Sequence, residues 1–335
     1  MNNSTSIISK LTTNNGINYV NIGLMLISLL ASYILPFEVF LFSYAILGPL
    51  HYLTEISWLD KKNYFIKSKK DIWVFAVIVC FITIGMFNDH SKMNNFTACF
   101  IFSAFIYALI ILFVEKAMIK LLLLLFVFFI SNSHYFNQYP NLPFLLFAMW
   151  LPTVIHVYFF TGSFILYGAL KSRSATGIIS FIVFIACGAI CFIYMPQNIG
   201  MAVTEYGKKA YSFFRFLNTT LYSAFGFGEL SPSEDSLYYL PKAIAVMRFI
   251  AFAYTYHYLN WFSKTTVIKW NQISKQRLTV IIVLWALSVA LYIFSYKVGF
   301  YALFLLSMLH VFCEFPLNHI TIIGIGKELR AIIKK

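Results

Sequence analysis

The sequence predicts an all-α protein, a polytopic bundle of about ten transmembrane helices. Hydrophobic residues make up 60% of the chain and charged residues only 11%, whereas soluble domains carry about 25% charged residues. The apolar residues also form long uncharged blocks, such as 96–114, 178–195 and 278–296. A helix of about 20 such residues can cross the hydrocarbon core. We therefore expect a single integral membrane domain over residues 1–335.

The apolar blocks divide the chain into consecutive candidate spans, with ends that are accurate to a few residues. They are 18–36, 37–58, 71–88, 95–114, 117–132, 142–170, 176–195, 240–262, 278–296 and 298–323. Pro36 and Pro152 fall within spans, where a membrane helix tolerates proline if its neighbours satisfy the freed carbonyl. The sixth span is long enough to tilt or to continue beyond the bilayer.

The basic residues, which give the chain a formal net charge of +13, lie mostly between the spans. In or near the loops after even-numbered spans lie Lys61, Lys62, Lys67, Lys69, Lys70, Lys116, Lys120, Lys171, Arg173, Lys264, Lys269, Lys275 and Arg277. Cytoplasmic loops of membrane proteins are rich in Lys and Arg, so both termini are predicted to be cytoplasmic. These residues are expected to contact anionic membrane lipids, and the charge is not interpreted as a nucleic-acid-binding surface.

The connection 196–239 departs from this charge pattern, because Lys208, Lys209 and Arg215 are mixed with acidic residues. We predict that it is an extracytoplasmic loop. Residues 206–225 combine aromatic and basic side chains at helical spacing, which is typical of a helix lying flat in the membrane interface. The loop is interpreted either as a simple connector or as a lid over a lipid-facing entrance.

Besides His319, which lies near the inner end of the last span, four histidines fall within predicted spans, where ionisable residues are costly and indicate function. They are His51, His156, His257 and His310, on the second, sixth, eighth and tenth spans. All four spans run inward, and each histidine lies about 13 to 18 residues from its span start, which is about 20 to 27 Å at the helical rise. Four imidazoles at one depth predict a metal site, since neutral imidazole binds iron, copper, zinc and nickel.

Two glutamates accompany these histidines. Glu55 follows His51 by four residues and Glu314 follows His310 by four, which places each pair on one helix face. The carboxylates are expected to orient the imidazoles, to act as a base, or to ligate directly, which would permit two metal ions. The alternative is that each histidine only hydrogen-bonds a neighbouring helix. Further candidates for substrate contacts or a lid are Arg248, Tyr256 and Asn260.

The histidine segments resemble those of a known family. They read GPLHYLTE at 48–55, VIHV at 154–157, YTYHY at 254–258 and MLHVFCE at 308–314. Their arrangement resembles the bacterial Brp/Blh family of membrane-embedded β-carotene dioxygenases, in which the first and last motifs pair a histidine with a following acidic residue. The chain departs from the family after the second and third histidines, where VYFF and YLNW stand.

This resemblance implies non-haem iron on membrane histidines, cleavage of β-carotene to retinal, and a bacterial cytoplasmic (inner) membrane. The residues themselves indicate an oxidative metalloenzyme that holds Fe, or alternatively Zn, and acts on a lipophilic small molecule, and the resemblance implies that this molecule is a carotenoid. Three alternatives stay open. One is a transporter or a metal or proton permease that uses the intramembrane histidines. Another is a zinc-dependent lipid hydrolase in which Glu55 or Glu314 is the base. The third is a structural or accessory membrane subunit whose histidines only pack or ligate haem. Nothing in the sequence indicates an oligomeric state.

Overall fold

The computed structural model describes residues 14–62, 70–87, 93–132, 144–196, 203–231, 235–264 and 272–334. Over these ranges the chain is helical and contains no strand. The helices are α1 (Asn14–Ile34), α2 (Pro36–Phe42, a π-helical turn at Ser43–Leu47, then Gly48–Lys62), α3 (Lys70–Phe87), α4 (Met93–Phe113), α5 (Ala117–Ser131), α6 (π-helical at Phe144–Phe160, then Thr161–Ser172), α7 (Ala175–Ile193), α8 (Glu205–Tyr211), α9 (Arg215–Ala224), α10 (Pro241–Ser263), α11 (Lys275–Phe294) and α12 (Tyr296–Ile333).

Six of the described helices are long and apolar enough to cross a membrane, namely α1, α2, α6, α7, α11 and α12. The apolar parts of α3, α4 and α5 are shorter. Large apolar side chains point away from the bundle, among them Leu26, Phe81 and Phe126, and such an extensive apolar surface is suited to lipid. The chain is thus an integral membrane protein. A helix coincides with each predicted span, whereas the number of crossings and the side of the termini stay predictions.

Helix α10 forms the centre of the bundle, with α1, α2, α6, α7 and α9 packed around it. Most of its residues are buried, and four fully buried alanines allow its neighbours to approach closely. Side-chain hydrogen bonds tie it to α2, because the Ser43 and Thr255 hydroxyls are 2.8 Å apart and Trp261 Nε1 donates to Thr54 Oγ1 at 2.9 Å. These contacts set the relative height of the two helices.

The end of the bundle at which α2 and α10 terminate is called the basic end, because Lys61 and Lys264 lie there. Arg277, at the start of α11, pairs with Asp60 near the end of α2 at 2.9 Å. An exposed pair of this kind contributes little stability. It shows, however, that helix termini assigned to one side by the charge pattern lie at one end of the bundle.

The described part of the connection between α7 and α10 lies at the opposite end. Helix α8 begins after Thr204, whose side chain accepts a hydrogen bond from the backbone N–H of Gly207. Tyr211, Phe214 and Leu221 are buried in the largest apolar cluster of the bundle. The predicted amphipathic segment is therefore largely helical, and part of its apolar surface packs on the protein.

Helix α12 is longer than its predicted span. It has 38 residues and ends at Ile333, whereas the span was predicted to end at residue 323. Its length is about 57 Å, well beyond the roughly 30 Å hydrocarbon core. The final turns, with Lys327 and Arg330, therefore extend past the core at the basic end.

Lys120, predicted to lie near a cytoplasmic turn, lies close to the start of α5 and is buried in an ion pair. Its Nζ lies 2.8 Å from Oδ2 and 3.0 Å from Oδ1 of Asp71, and the Tyr107 hydroxyl donates to Oδ1 at 2.9 Å. The three side chains join α3, α4 and α5. Removing one partner of a buried pair leaves an uncompensated charge, which is strongly destabilising.

We predict that Lys120→Met lowers the free energy of unfolding by about 3–5 kcal/mol, because the Asp71 carboxylate loses its counter-charge. The measurement is denaturation of the purified protein in mixed micelles. The double variant Asp71→Leu/Lys120→Met is the control, and it should regain most of the loss. A single variant as stable as the wild type would show that the pair does not hold these helices together.

Candidate metal centre

The four histidines predicted to share one depth come together in the structure. The ring centroids of His51 and His257 are 4.7 Å apart, and those of His156 and His257 are 4.9 Å apart. His310 closes the cluster, at 5.2 Å from His156 and 5.4 Å from His51. No ring is more than 6% exposed. The four side chains form a ring of imidazoles contributed by α2, α6, α10 and α12.

Two of these histidines are positioned by π-helical segments. A π-helical turn at Ser43–Leu47 precedes His51 in α2, and His156 lies inside the π-helical segment Phe144–Phe160 of α6. That segment also contains Pro152, which has no backbone N–H to donate. Such segments are rare and are frequently found at functional sites.

The glutamates lie at the same place, but their pairing differs in part from the expected one. Glu55 Oε2 lies 3.1 Å from Nε2 of His51, its neighbour on α2. Glu314 Oε2 lies 3.4 Å from Nδ1 of His156 on α6, so its contact is with another helix rather than with His310. The two carboxyl groups are also within hydrogen-bonding reach of each other. Buried carboxylates in contact need a shared proton or a neighbouring cation.

Several polar atoms of the cluster have no hydrogen-bond partner among the described residues. They are Nδ1 of His51, Nε2 of His156 and both ring nitrogens of His310, while Oε2 of Glu55 and Oε2 of Glu314 have the imidazole contacts given above but form no hydrogen bond of good geometry. Buried polar atoms are nearly always hydrogen-bonded, and each one left without a partner costs about 1–3 kcal/mol. A cation bound among these lone pairs would remove that cost.

The donor atoms form two overlapping groups that could hold an ion. Ligand atoms of His51, His156 and His257 lie within 4.8 Å of one another, and so do those of His51, Glu55 and His310. Three histidines are a donor set of catalytic zinc sites. Two histidines with one carboxylate are the donor set of non-haem iron oxygenases. The residues therefore fit a metal ion, and the donor chemistry suits both Fe and Zn.

Thr161 is a part of the site that the sequence did not indicate. Its Oγ1 lies 2.8 Å from Nδ1 of His257, whose Nε2 is 3.1 Å from Nε2 of His51. If the Thr161 hydroxyl accepts the Nδ1 proton, the Nε2 lone pair of His257 is free to face the cluster. Thr161 is five residues after His156 on α6, and no spacing rule connects it with a histidine of α10.

The other predicted residues divide into two groups. Tyr256 and Asn260 line a cavity of about 390 Å³ that reaches the cluster. Arg248 is buried elsewhere on α10, with its guanidinium 4.5 Å from the centre of the Tyr33 ring. It precedes His257 by nine residues, which is about 13 Å along a helix. The structure therefore brings Tyr256 and Asn260 to the site and places Arg248 away from it.

Comparison with known protein families, with curated proteins and with solved structures finds no match for this chain. The similarity to the Brp/Blh dioxygenases therefore stays a prediction that concerns four short segments. The functional interpretation depends on the geometry of the site.

We predict that Thr161→Val lowers metal affinity about 10- to 100-fold, because such losses follow when a ligand histidine loses its outer hydrogen bond. Thr161→Ser retains the hydroxyl and should bind nearly as the wild type does. Thr153→Val is the matched control, since among the described residues Thr153 bonds to backbone carbonyls of its own helix. Competition with a chelator measures the affinity. Equal affinity of Thr161→Val and wild type would refute the role of Thr161.

Proposed function

We propose that the protein is a membrane-embedded metalloenzyme that uses non-haem iron to oxidise a lipophilic substrate with dioxygen. His51, His156, His257 and His310 would hold the metal. The observation that carries this proposal is the convergence of buried nitrogen and oxygen atoms inside a membrane bundle, several of them without a hydrogen-bond partner among the described residues. Zinc is the alternative metal.

For the topology we propose about ten crossings with both termini in the cytoplasm, in a bacterial inner membrane. The helix termini with Lys61, Lys264 and Arg277 share the basic end, which supports the charge-based orientation. Helix α10 is not among the long apolar helices, but it is surrounded by helices that are. Its polar side chains thus face protein rather than lipid.

The chain's own residues have separable roles in the proposed reaction. The buried imidazoles would be metal ligands, and Thr161 would fix the orientation of the His257 ring. Glu55 and Glu314 would balance the charge of the ion and could hold a proton between them. A bound iron ion would supply activation of dioxygen. Cleavage of a carbon–carbon double bond that places one oxygen atom on each carbon needs no external reductant.

Packing beyond the cluster argues against a transport path. On the side away from the basic end, Phe40, Tyr44, Phe214, Tyr254 and Phe300 are in mutual ring contact, with centroids 4.8 to 5.4 Å apart for several pairs. A permease needs polar groups along a continuous pathway on both sides of its binding site. The zinc hydrolase is the stronger alternative, because Glu55 and Glu314 both lie at the cluster where a base would be needed.

We predict that the purified wild type contains stoichiometric iron without a haem absorption band, and that His51→Ala loses most of it. His319→Ala is the matched control. His319 is also a mostly buried histidine, but its Nε2 lies 2.8 Å from the Phe105 carbonyl oxygen, outside the cluster. It should retain the metal. Elemental analysis of the detergent-purified proteins is the measurement.

Absence of any metal from the wild type would remove the metalloenzyme proposal, and stoichiometric zinc would favour the hydrolase. With iron present, oxygen consumption in the presence of β-carotene is the first activity assay, since the resemblance suggests that substrate. His51→Ala should abolish the consumption and His319→Ala should not.

A further inference from the structure

The cavity beside the cluster runs from the histidines to the basic end. Along α6 it is lined by residues that share one helix face, namely Thr161, Phe164, Ile165, Gly168, Ala169 and Ser172. From Thr161, which contacts His257, to Ser172 at the helix end there are eleven residues, or about 16 Å. The cavity is thus a narrow passage about as long as half the hydrocarbon core.

One wall of the passage is apolar. Phe164, Ile165 and Leu317 line it, and Trp58 and Trp261 lie on the same passage. At Gly168 an added Cβ would meet no atom within 4 Å, so the passage is open at this position. Contact between an apolar surface of this kind and a hydrocarbon chain is favourable, because it removes apolar area from water.

Another part of the lining, on α1 and near the end of α10, is polar, and its groups bond to one another. Asn21 Nδ2 donates to the Ile17 carbonyl at 2.8 Å, and Asn21 Oδ1 accepts from the Ser263 hydroxyl at 3.0 Å. The Tyr256 hydroxyl lies 3.2 Å from the same Oδ1 and 3.4 Å from Asn260 Oδ1. Because these groups already bond to one another, a hydrocarbon chain could lie beside them without breaking hydrogen bonds.

A cation lies at the basic end of the passage. Lys264 ends α10 at the basic end, is half-buried and lines the cavity. None of the described carboxylates forms an ion pair with it. Burial lowers the pKa of the Lys264 amine to about 8, which means that its charged form lacks compensation there. An anion at this position would supply it.

We propose that this passage binds a single-chain amphiphile with an anionic head group, with the head at Lys264 and the chain directed to the histidine cluster. The head group is a carboxylate or a phosphate, and either could pair with the amine. The inference rests on the proposed metal site only for what happens at the inner end of the chain. A fully apolar carotenoid would leave Lys264 without a partner.

The test is equilibrium binding of radiolabelled dodecanoate to the protein in lipid nanodiscs, with metal content measured on the same samples. We expect saturable binding to one site and competition by dodecyl phosphate. Dodecanol, which has the same chain without the charge, should compete about tenfold less well or worse, because a charge-assisted bond is lost. The tighter of the two anions identifies the head group.

Two variants with matched controls locate the site. Lys264→Gln should weaken dodecanoate binding about tenfold. Lys242→Gln, which removes a cation from the other end of α10, should leave it unchanged. Gly168→Leu should block the passage and prevent binding. Gly326→Leu should not, although an added Cβ there also meets nothing within 4 Å.

The inference is overturned if dodecanoate shows no saturable binding, if dodecanol competes as well as the anions, or if Lys264→Gln binds like the wild type. These outcomes are independent of the metal. Iron without dodecanoate binding would refute the amphiphile and leave the metal site. Lys264-dependent binding of dodecanoate to a protein without metal would refute the metal site and leave the amphiphile.

Discussion

Burial of six ionisable side chains in the interior of a membrane bundle is the constraint on which the rest of this structure depends. Imidazoles and carboxylates are poorly tolerated in an apolar medium unless they are paired or coordinate a metal. Here they come from α2, α6, α10 and α12, and no single helix could shield them. The surrounding helices, above all those around α10, therefore separate the cluster from lipid. By keeping lipid away from the cluster, the surrounding helices lower the free-energy cost of burying its ionisable side chains.

Much of the fold followed from composition and from the lengths of the apolar blocks. The meeting of the four histidines followed from a less direct argument, since alternate spans point the same way and equal distances along them give equal depth. That argument gives the depth of each histidine but not the direction in which its side chain points. It was sufficient because all four imidazoles face the interior of the bundle. Where a contact depends on the rotation of one helix about its axis relative to another, the sequence was insufficient to predict it. Neither the contact of Thr161 with His257 nor that of Glu314 with His156 can be read from spacing on one helix.

Hydropathy was least informative where the protein is most specialised. Helix α10 carries His257 and lies at the centre of the bundle, yet it falls outside the helices that are apolar enough to cross a membrane by themselves. Its polar residues lower its mean hydropathy because they serve the site and the contacts with neighbouring helices. Lys120 shows the converse, since a base near a predicted turn is buried with Asp71. The position of a charged residue along the chain indicates the side of the membrane on which it lies, but not the side chain with which it pairs.

The π-helical segments determine the direction in which the site residues point around their helix axes. A π-helical turn contains more residues than an α-helical turn, and one residue of an α-helix corresponds to a rotation of about 100°. His51 is reached through such a turn at Ser43–Leu47. Deletion of one residue from that turn would leave every donor in the chain but would direct the His51 ring away from the other three. The candidate metal centre therefore depends on residue count as well as on residue identity.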